Sequence, residues 1–255
     1  MKNSITNFIR LLGGLTILVR QIFRELFVPP YNFGLLMDQM YQIGIRSGPL
    51  VFVTSISTGM VMALQFGLGL EKFGGKLYVP KIVSLSIVRE LGPAFTCLVL
   101  AARIGAGITS ELGSMTVTQQ IDAIRALGTS PIKKIVIPRV LAALIVIPIL
   151  IAFANMIGIM GGLIVGVNDL RLDPLFYVQK VFATITLKDY FAGFCKTPVF
   201  AVLIALTGCY YGLNVKGGTQ AVGNATTRSV VVSCIFVLIG DYFLTKLFWV
   251  FEQWL

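Results

Sequence analysis

The sequence has 255 residues, of which 56% are hydrophobic and only 13% are charged. Soluble domains contain about 25% charged residues, so this composition predicts a protein whose main solvent is lipid. The formal net charge is +10, but the basic residues are dispersed between apolar runs, which argues against nucleic-acid binding. The chain has no histidine, so we expect neither a metal site nor a histidine-based hydrolase.

Residues 1–28 place polar and apolar side chains on opposite faces of a helix. The arginines of this segment fall on the polar face. Basic residues opposite an apolar face are typical of a helix that lies in the membrane interface, and an ordinary packing helix is the alternative. We expect Pro29 and Pro30 to end the helix, and we assign residues 1–46 to an interfacial helix and its connector.

Five apolar stretches predict a five-span domain over residues 47–255. They lie at about 47–70, within 79–109, and at about 135–166, 191–213 and 229–250. A span needs about 20 apolar residues, and charged residues interrupt the second stretch, which makes its limits hard to place. Between the third and fourth spans, Asp173 followed by Pro174 predicts the beginning of a helix. The expected fold is therefore an all-α integral membrane protein.

The distribution of basic residues predicts the orientation of these spans. Five spans put the two termini on opposite sides of the membrane. With the N-terminus inside, the inner segments 1–46, 103–139 and 214–228 hold 12 of the 21 Lys and Arg residues. This excess has the sign of the positive-inside rule and predicts a cytoplasmic N-terminus.

Glycines recur every four residues in the third span, at Gly158, Gly162 and Gly166. Small residues at this spacing let two helix backbones approach closely. The pattern predicts a packing face, which serves either contacts within the chain or a contact between two copies.

Four ionisable residues stand among apolar neighbours: Arg89, Glu90, Lys196 and Asp241. Charges at membrane depth are costly and are usually paired or functional. The formal charges of these four cancel, so mutual pairing would remove most of the penalty, and we expect Lys196 to lie close to Asp241. Two interpretations stay open. The residues form a structural cluster that joins three helices, or they border a polar cavity that meets a lipid headgroup.

The polar segment 110–134 follows the second span and carries apolar residues at roughly helical spacing. Asp122 and Arg125 are three residues apart, and Gly128 followed by Pro131 is a C-terminal stop signal. The pattern predicts a short amphipathic helix on the cytoplasmic side, where a transporter docks its ATPase. An interfacial helix without a partner is the alternative.

The sequence lacks the phosphate-binding pattern GxxxxGK[ST]. Without this loop, we expect the chain itself to bind no cofactor and to hydrolyse no ATP. ATP and Mg²⁺ would then be held by a separate ATPase.

A series of short motifs extends over about residues 40–250. In chain order they are Arg89-Glu90-Leu91-Gly92-Pro93, Ala102-Arg103-Ile104-Gly105-Ala106-Gly107, Thr109, Glu111, Gly113, Met115, Thr118-Gln119, Pro138-Arg139, Gly161-Gly162, Val165-Gly166, Lys196-Thr197-Pro198-Val199-Phe200, Gly212, Gly217-Gly218-Thr219 and Ala225-Thr226-Thr227-Arg228. In this order they resemble the MlaE/YrbE family of permeases, which work with MCE-domain proteins.

The resemblance implies a homodimeric permease of an ABC transporter. Its partners would be a cytoplasmic ATPase related to MlaF, an MCE-domain protein related to MlaD and a small STAS-domain protein related to MlaB. The implied activity moves phospholipid between the inner and outer membranes of a diderm bacterium, with the permease in the inner membrane.

The residues and the resemblance together give candidate roles. Arg89, Glu90, Lys196 and Asp241 are our candidates for the lipid path or for an intramembrane charge cluster. ATPase coupling is assigned to Glu111, Asp122, Arg125 and Gly128. Two other functions remain possible on the residues alone: a proton-coupled secondary transporter that uses Glu90 or Asp241, and a membrane scaffold that transports nothing.

Overall fold

A computed structural model of the chain describes residues 2–27 and 33–254, with side chains for residues 9–27, 33–251 and 253. These residues are almost entirely helical and contain no strand. The helix end predicted at Pro29 and Pro30 lies outside the described residues.

The described residues form eleven α-helices, which we number α1 to α11 in chain order. They are Lys2–Leu26, Phe33–Gly44, Gly48–Glu71, Val79–Ser86, Thr96–Leu100, Ala106–Val117, Gln120–Ala126, Ile137–Asn168, Pro174–Thr184, Leu187–Leu213 and Thr219–Trp254. Three π-helical segments join α4 to α5, join α5 to α6 and lead into α8: Ile87–Phe95, Ala101–Gly105 and Ile132–Val136.

Five helical stretches in the described part of the chain are long and apolar enough to cross a membrane, which confirms the five predicted spans. They are Phe33–Glu71, Lys76–Val117, Ile132–Asn168, Leu187–Leu213 and Thr219–Phe251. Each helix extends beyond its apolar run, because helical hydrogen bonds do not stop where hydropathy falls. The second span accordingly continues to Val117 and includes Glu111, which the sequence analysis assigns to the polar segment after that span.

The chain divides into two compact units. Unit 1 contains residues 1–43, 101–146 and 201–236, and unit 2 contains residues 44–100, 147–200 and 237–255. The three segments that the Lys and Arg count assigned to one side of the membrane all come together in unit 1, apart from a few terminal residues. The functional division predicted at residue 46 stays a prediction.

In unit 1, α1 has three faces where the sequence pattern predicted two. Leu11, Leu18 and Ile22 form a buried stripe, and each is less than 9% exposed. Ile9 and Phe23 lie on a second apolar stripe and are 61% and 62% exposed. The helix therefore packs against its own unit and also presents an apolar surface, so the two interpretations of residues 1–28 are not exclusive.

In unit 2, the glycines of α8 lie against other helices. Gly158 is in contact distance of Ile87, and Gly162 and Gly166 face the ring of Tyr177, which is 1% exposed. A Cβ atom on Gly162 would lie 2.7 Å from the Tyr177 hydroxyl. Burial raises the pKa of Tyr177 to about 12, so this ring is neutral at physiological pH.

Candidate functional site: a buried lysine with two carboxylates

Lys196 lies well inside the fourth span, on α10. At 1.5 Å per residue it is about 14 Å from the first residue of the helix. Pro198 has no N–H to donate to the carbonyl of Phe194, and the Thr197 hydroxyl donates to that oxygen at 2.8 Å instead. This local replacement satisfies the carbonyl that Pro198 cannot, and α10 continues past the proline.

The π-helical segment Ile87–Phe95 presents Glu90 to this lysine. Pro93 lies inside the segment and has no N–H to donate to the helix. Lys196 Nζ donates to the carbonyl of Arg89 at 3.2 Å. Helical segments of this type are rare and occur frequently at functional sites, because they change the direction of side chains and backbone groups.

Four acceptors surround the ammonium group of Lys196. Nζ lies 2.6 Å from Thr245 Oγ1, 2.7 Å from Glu90 Oε2, 3.2 Å from Asp241 Oδ1 and 3.2 Å from the Arg89 carbonyl. The ammonium has three protons, so at least one is shared between acceptors. The predicted contact between Lys196 and Asp241 is confirmed. We call Glu90, Lys196, Asp241 and Thr245 the Lys196 cluster.

The Lys196 cluster is unequal in charge and in exposure. One ammonium faces two carboxylates, and the side chains of Lys196, Asp241 and Glu90 are 2%, 20% and 41% exposed. Thr245 Oγ1 lies 3.2 Å from Glu90 Oε2 and links two members of the cluster. Hydrocarbon cannot solvate a carboxylate, so the open side of Glu90 needs water or a polar group beside it.

Asp189 extends this network and was missed in the sequence. Its Oδ1 accepts from Arg89 Nη1 at 3.1 Å, and its Oδ2 accepts from the backbone N–H and the hydroxyl of Thr186 at 3.1 and 2.6 Å. Thr186 and Asp189 are three residues apart at the beginning of α10, which is the spacing of a capping box. That spacing predicts the helix start, but it carries no information about Arg89.

The segment predicted to couple to an ATPase is not one helix. Helix α6 ends before Thr118, and α7 begins after Gln119, whose φ of 57° is left-handed. The run Thr116-Val117-Thr118 has three β-branched residues, which disfavour helix. Our prediction of a single amphipathic helix was therefore wrong.

Other features of that segment are as expected. Asp122 Oδ1 and Arg125 Nη1 are 2.9 Å apart on the surface of α7. Gly128 has a φ of +75°, and its N–H donates to the carbonyl of Arg125 at 2.9 Å, so the helix ends there.

Glu111 has a buried partner in unit 1. Its Oε1 lies 2.6 Å from Arg139 Nη2, and the Arg139 side chain is only 6% exposed. Arg139 Nη1 also donates to the carbonyl of Ile135 at 2.9 Å. The sequence showed both residues in family motifs, but it did not show that α6 and α8 bring them together.

Comparison with known proteins decides the family. The family described as Permease MlaE matches residues 36–247 of the chain. The chain belongs to the MlaE permease family.

Relatives in three bacterial groups agree with this assignment. A probable ABC transporter permease protein of Rickettsia typhi is 40% identical over 219 residues, which cover 86% of this chain and 85% of that protein. A probable ABC transporter permease protein of Synechocystis is 33% identical over 246 residues, covering 96% and 94%. The intermembrane phospholipid transport system permease protein MlaE of Haemophilus influenzae is 31% identical over 217 residues, covering 85% and 83%.

The resemblance found in the motifs is thus confirmed, and the protein is a multi-pass membrane permease, a transporter subunit. In this MlaE-family permease, the matched range includes the whole Lys196 cluster, Asp189 and the coupling segment, whereas all of α1 precedes it.

Proposed function

We propose that this permease is the membrane subunit of an ATP-driven transporter that moves phospholipid between two membranes. Its family and the name of the Haemophilus influenzae relative support this proposal. The observation that carries it is the Lys196 cluster, which keeps a 41% exposed carboxylate inside a membrane span. A structural ion pair alone would not need that open side.

The exposed side of the Lys196 cluster is where a lipid headgroup would pass. Lys196 is enclosed by its acceptors, whereas Glu90 and Asp241 retain accessible surface. The accessible groups are therefore acceptors of hydrogen bonds and positive charge. An ammonium-bearing headgroup would complement them, and a bare hydrocarbon chain would not.

The proposed orientation puts the N-terminus in the cytoplasm and the chain in the inner membrane of a diderm bacterium. The second and fourth spans then run inward from the outer surface. Glu90 and Lys196 both lie in the first half of their spans, and hence in the outer half of the membrane. An MCE-domain protein on that side would receive or deliver the lipid.

The proposed assembly is a homodimer with a cytoplasmic ATPase that binds ATP and Mg²⁺, and with a small STAS-domain protein. Helix α7 is the candidate docking site for the ATPase, because its Asp122–Arg125 pair is exposed and lies next to the helix end at Gly128. Glu111 would connect the dock to the spans through Arg139. The glycines of α8 would keep α8 close to Ile87 and Tyr177 within unit 2.

Reconstitution tests this function. The permease, its ATPase and its MCE partner are placed in vesicles, and transfer of fluorescent phospholipid to acceptor vesicles is followed. We expect transfer that needs ATP and falls strongly in the Glu90→Gln/Asp241→Asn variant. Glu71→Gln, which changes an exposed carboxylate paired with Lys76, is the matched control. Transfer driven by a proton gradient without the ATPase would instead establish secondary transport.

A further inference from the structure

Unit 1 contains a cavity that shares no residue with the Lys196 cluster. It has a volume of about 680 Å³ and lies between the end of α1, the beginning of α2 and residues 128–141. Leu26, Phe33 and Pro138 are among its apolar walls. A volume of this size is typical of sites that bind small molecules.

One side of this cavity is cationic. Lys133 and Lys134 both line it, and both belong to the π-helical segment Ile132–Val136. Lys134 is exposed and Lys133 is half-buried. The acidic residue in the lining, Glu25, accepts a hydrogen bond from Ser130 at 2.6 Å. The described part of the lining therefore carries two ammonium groups and one carboxylate, which leaves a formal excess of positive charge.

An apolar slot adjoins this cavity. It has a volume of about 150 Å³ and shares Leu26, Ile137 and Leu141 with the larger space. The rest of its lining is also apolar, with Leu144 and Val202 farther along. A cationic compartment that shares three lining residues with an apolar slot matches a molecule with an anionic head and a hydrocarbon tail.

We propose that this two-part cavity binds an anionic phospholipid. The phosphate lies at Lys133 and Lys134, and an acyl chain enters the slot past Leu141. The apolar stripe of α1 fits this occupant, since it places the cavity beside a helix suited to the membrane interface. Charge selects the headgroup: a choline headgroup carries the same phosphate but adds a cation that the two lysines repel.

The site is tested on the purified full-length permease without its ATPase, so the result does not depend on the proposed transport. The probe is a photoactivatable phosphatidylglycerol in mixed micelles, with photoactivatable phosphatidylcholine beside it. Labelled peptides are then identified by mass spectrometry. We expect phosphatidylglycerol to label peptides that contain residues 19–26 and 137–144.

Removal of Lys133 and Lys134 tests whether the cavity recognises the anionic headgroup or only makes nonspecific contact with lipid. A lysine near an anionic surface contributes about five-fold in affinity. Lys133→Gln/Lys134→Gln should therefore lower phosphatidylglycerol labelling more than about ten-fold and leave phosphatidylcholine labelling unchanged. The control Lys72→Gln/Lys216→Gln removes the same charge from positions outside both linings. Equal labelling in the two double variants would overturn the proposal.

Blocking the slot separates a lipid from a soluble phosphate. Leu144→Trp should lower labelling by both lipids, whereas Ile145→Trp, at a position 42% exposed on the same helix, should not. Millimolar glycerol phosphate should fail to compete. If it competes fully, or if Leu144→Trp has no effect, the cavity does not hold an acyl chain. Single Lys134→Glu, at an exposed position, repeats the charge test if the double variant fails to fold.

Discussion

The Lys196 cluster and the Asp122–Arg125 pair have similar distances and different surroundings. Lys196 lies 2.7 Å from Glu90, and Arg125 lies 2.9 Å from Asp122. Lys196 is 2% exposed and is held by groups on two other helical elements, whereas Asp122 and Arg125 are 67% and 64% exposed on one short helix. Water solvates Asp122 and Arg125 whether or not they are paired, so breaking that pair should cost little free energy. Breaking the Lys196 cluster should cost much more, because it leaves buried charge without a partner.

The largest effect is expected for Lys196→Met. This change leaves Glu90 and Asp241 close together without their cation. Loss of one partner of a buried pair costs about 3–5 kcal/mol. Unfolding in detergent, followed by heat or denaturant, measures the loss. Lys246→Met, an exposed position on α11, is the control. If both variants unfold alike, the cluster is no more consequential than a surface charge.

The next largest effect is expected for Asp189→Asn. It removes the charge that pairs with Arg89 but keeps a side-chain oxygen that can accept from Thr186, so the loss of the charge should cost about 1–2 kcal/mol. Asp173→Asn is the matched control, because Asp173 caps α9 through the N–H of Phe176 and asparagine caps equally well. Equal stability of the two variants would mean that the Arg89 pair contributes nothing beyond capping.

A smaller effect is expected for Asp241→Asn. Lys196 keeps Glu90 as its counter-ion, so the cost should be about 1 kcal/mol or less. Asp241→Asn should also partly restore the stability of Lys196→Met, because it relieves the repulsion between the Glu90 and Asp241 carboxylates. A double-mutant cycle measures this coupling. Additive effects would show that Asp241 does not interact with the other two residues.

The smallest effect on stability is expected for the charge-reversed pair Asp122→Lys/Arg125→Glu. An exposed pair at this spacing contributes about 0.3–0.5 kcal/mol, and the reversed pair keeps part of it. Co-purification of the ATPase should nevertheless fall, since the surface it meets has changed sign. Glu71→Lys/Lys76→Glu reverses another exposed pair as a control. Unchanged ATPase yield would favour a helix without a partner.

The fold could be predicted to the level of spans but not to their ends. Apolar runs marked all five spans because hydropathy reports where lipid is the solvent. The ends depend on local backbone chemistry. The β-branched residues before Gln119 end α6 there, whereas the apolar spacing predicted one continuous helix. The beginning of α9 at Asp173 was easier to predict, since the capping residue and the proline after it are adjacent in sequence and need no distant partner.

The candidate site could be predicted in part for a similar reason. Lys196 and Asp241 were visible as isolated charges in apolar runs, and such charges must find partners. Asp189 was not visible, because it lies at a helix start where an acidic residue needs no explanation. Thr245 was not visible either, since a hydroxyl in a span usually bonds to its own helix. Here it bonds to Lys196 and lies beside Glu90.

The sequence by itself determined that lipid surrounds this chain, that about five helices cross it, and that it resembles MlaE permeases. Those properties follow from composition, periodicity and motif order, each of which is local along the chain. Only the tertiary structure decided that Lys196 would face two carboxylates, that Arg89 would pair with Asp189, and that Glu111 would meet Arg139. These pairs join residues from 28 to 106 positions apart, and only packing of the helices selects one distant partner from several of suitable charge.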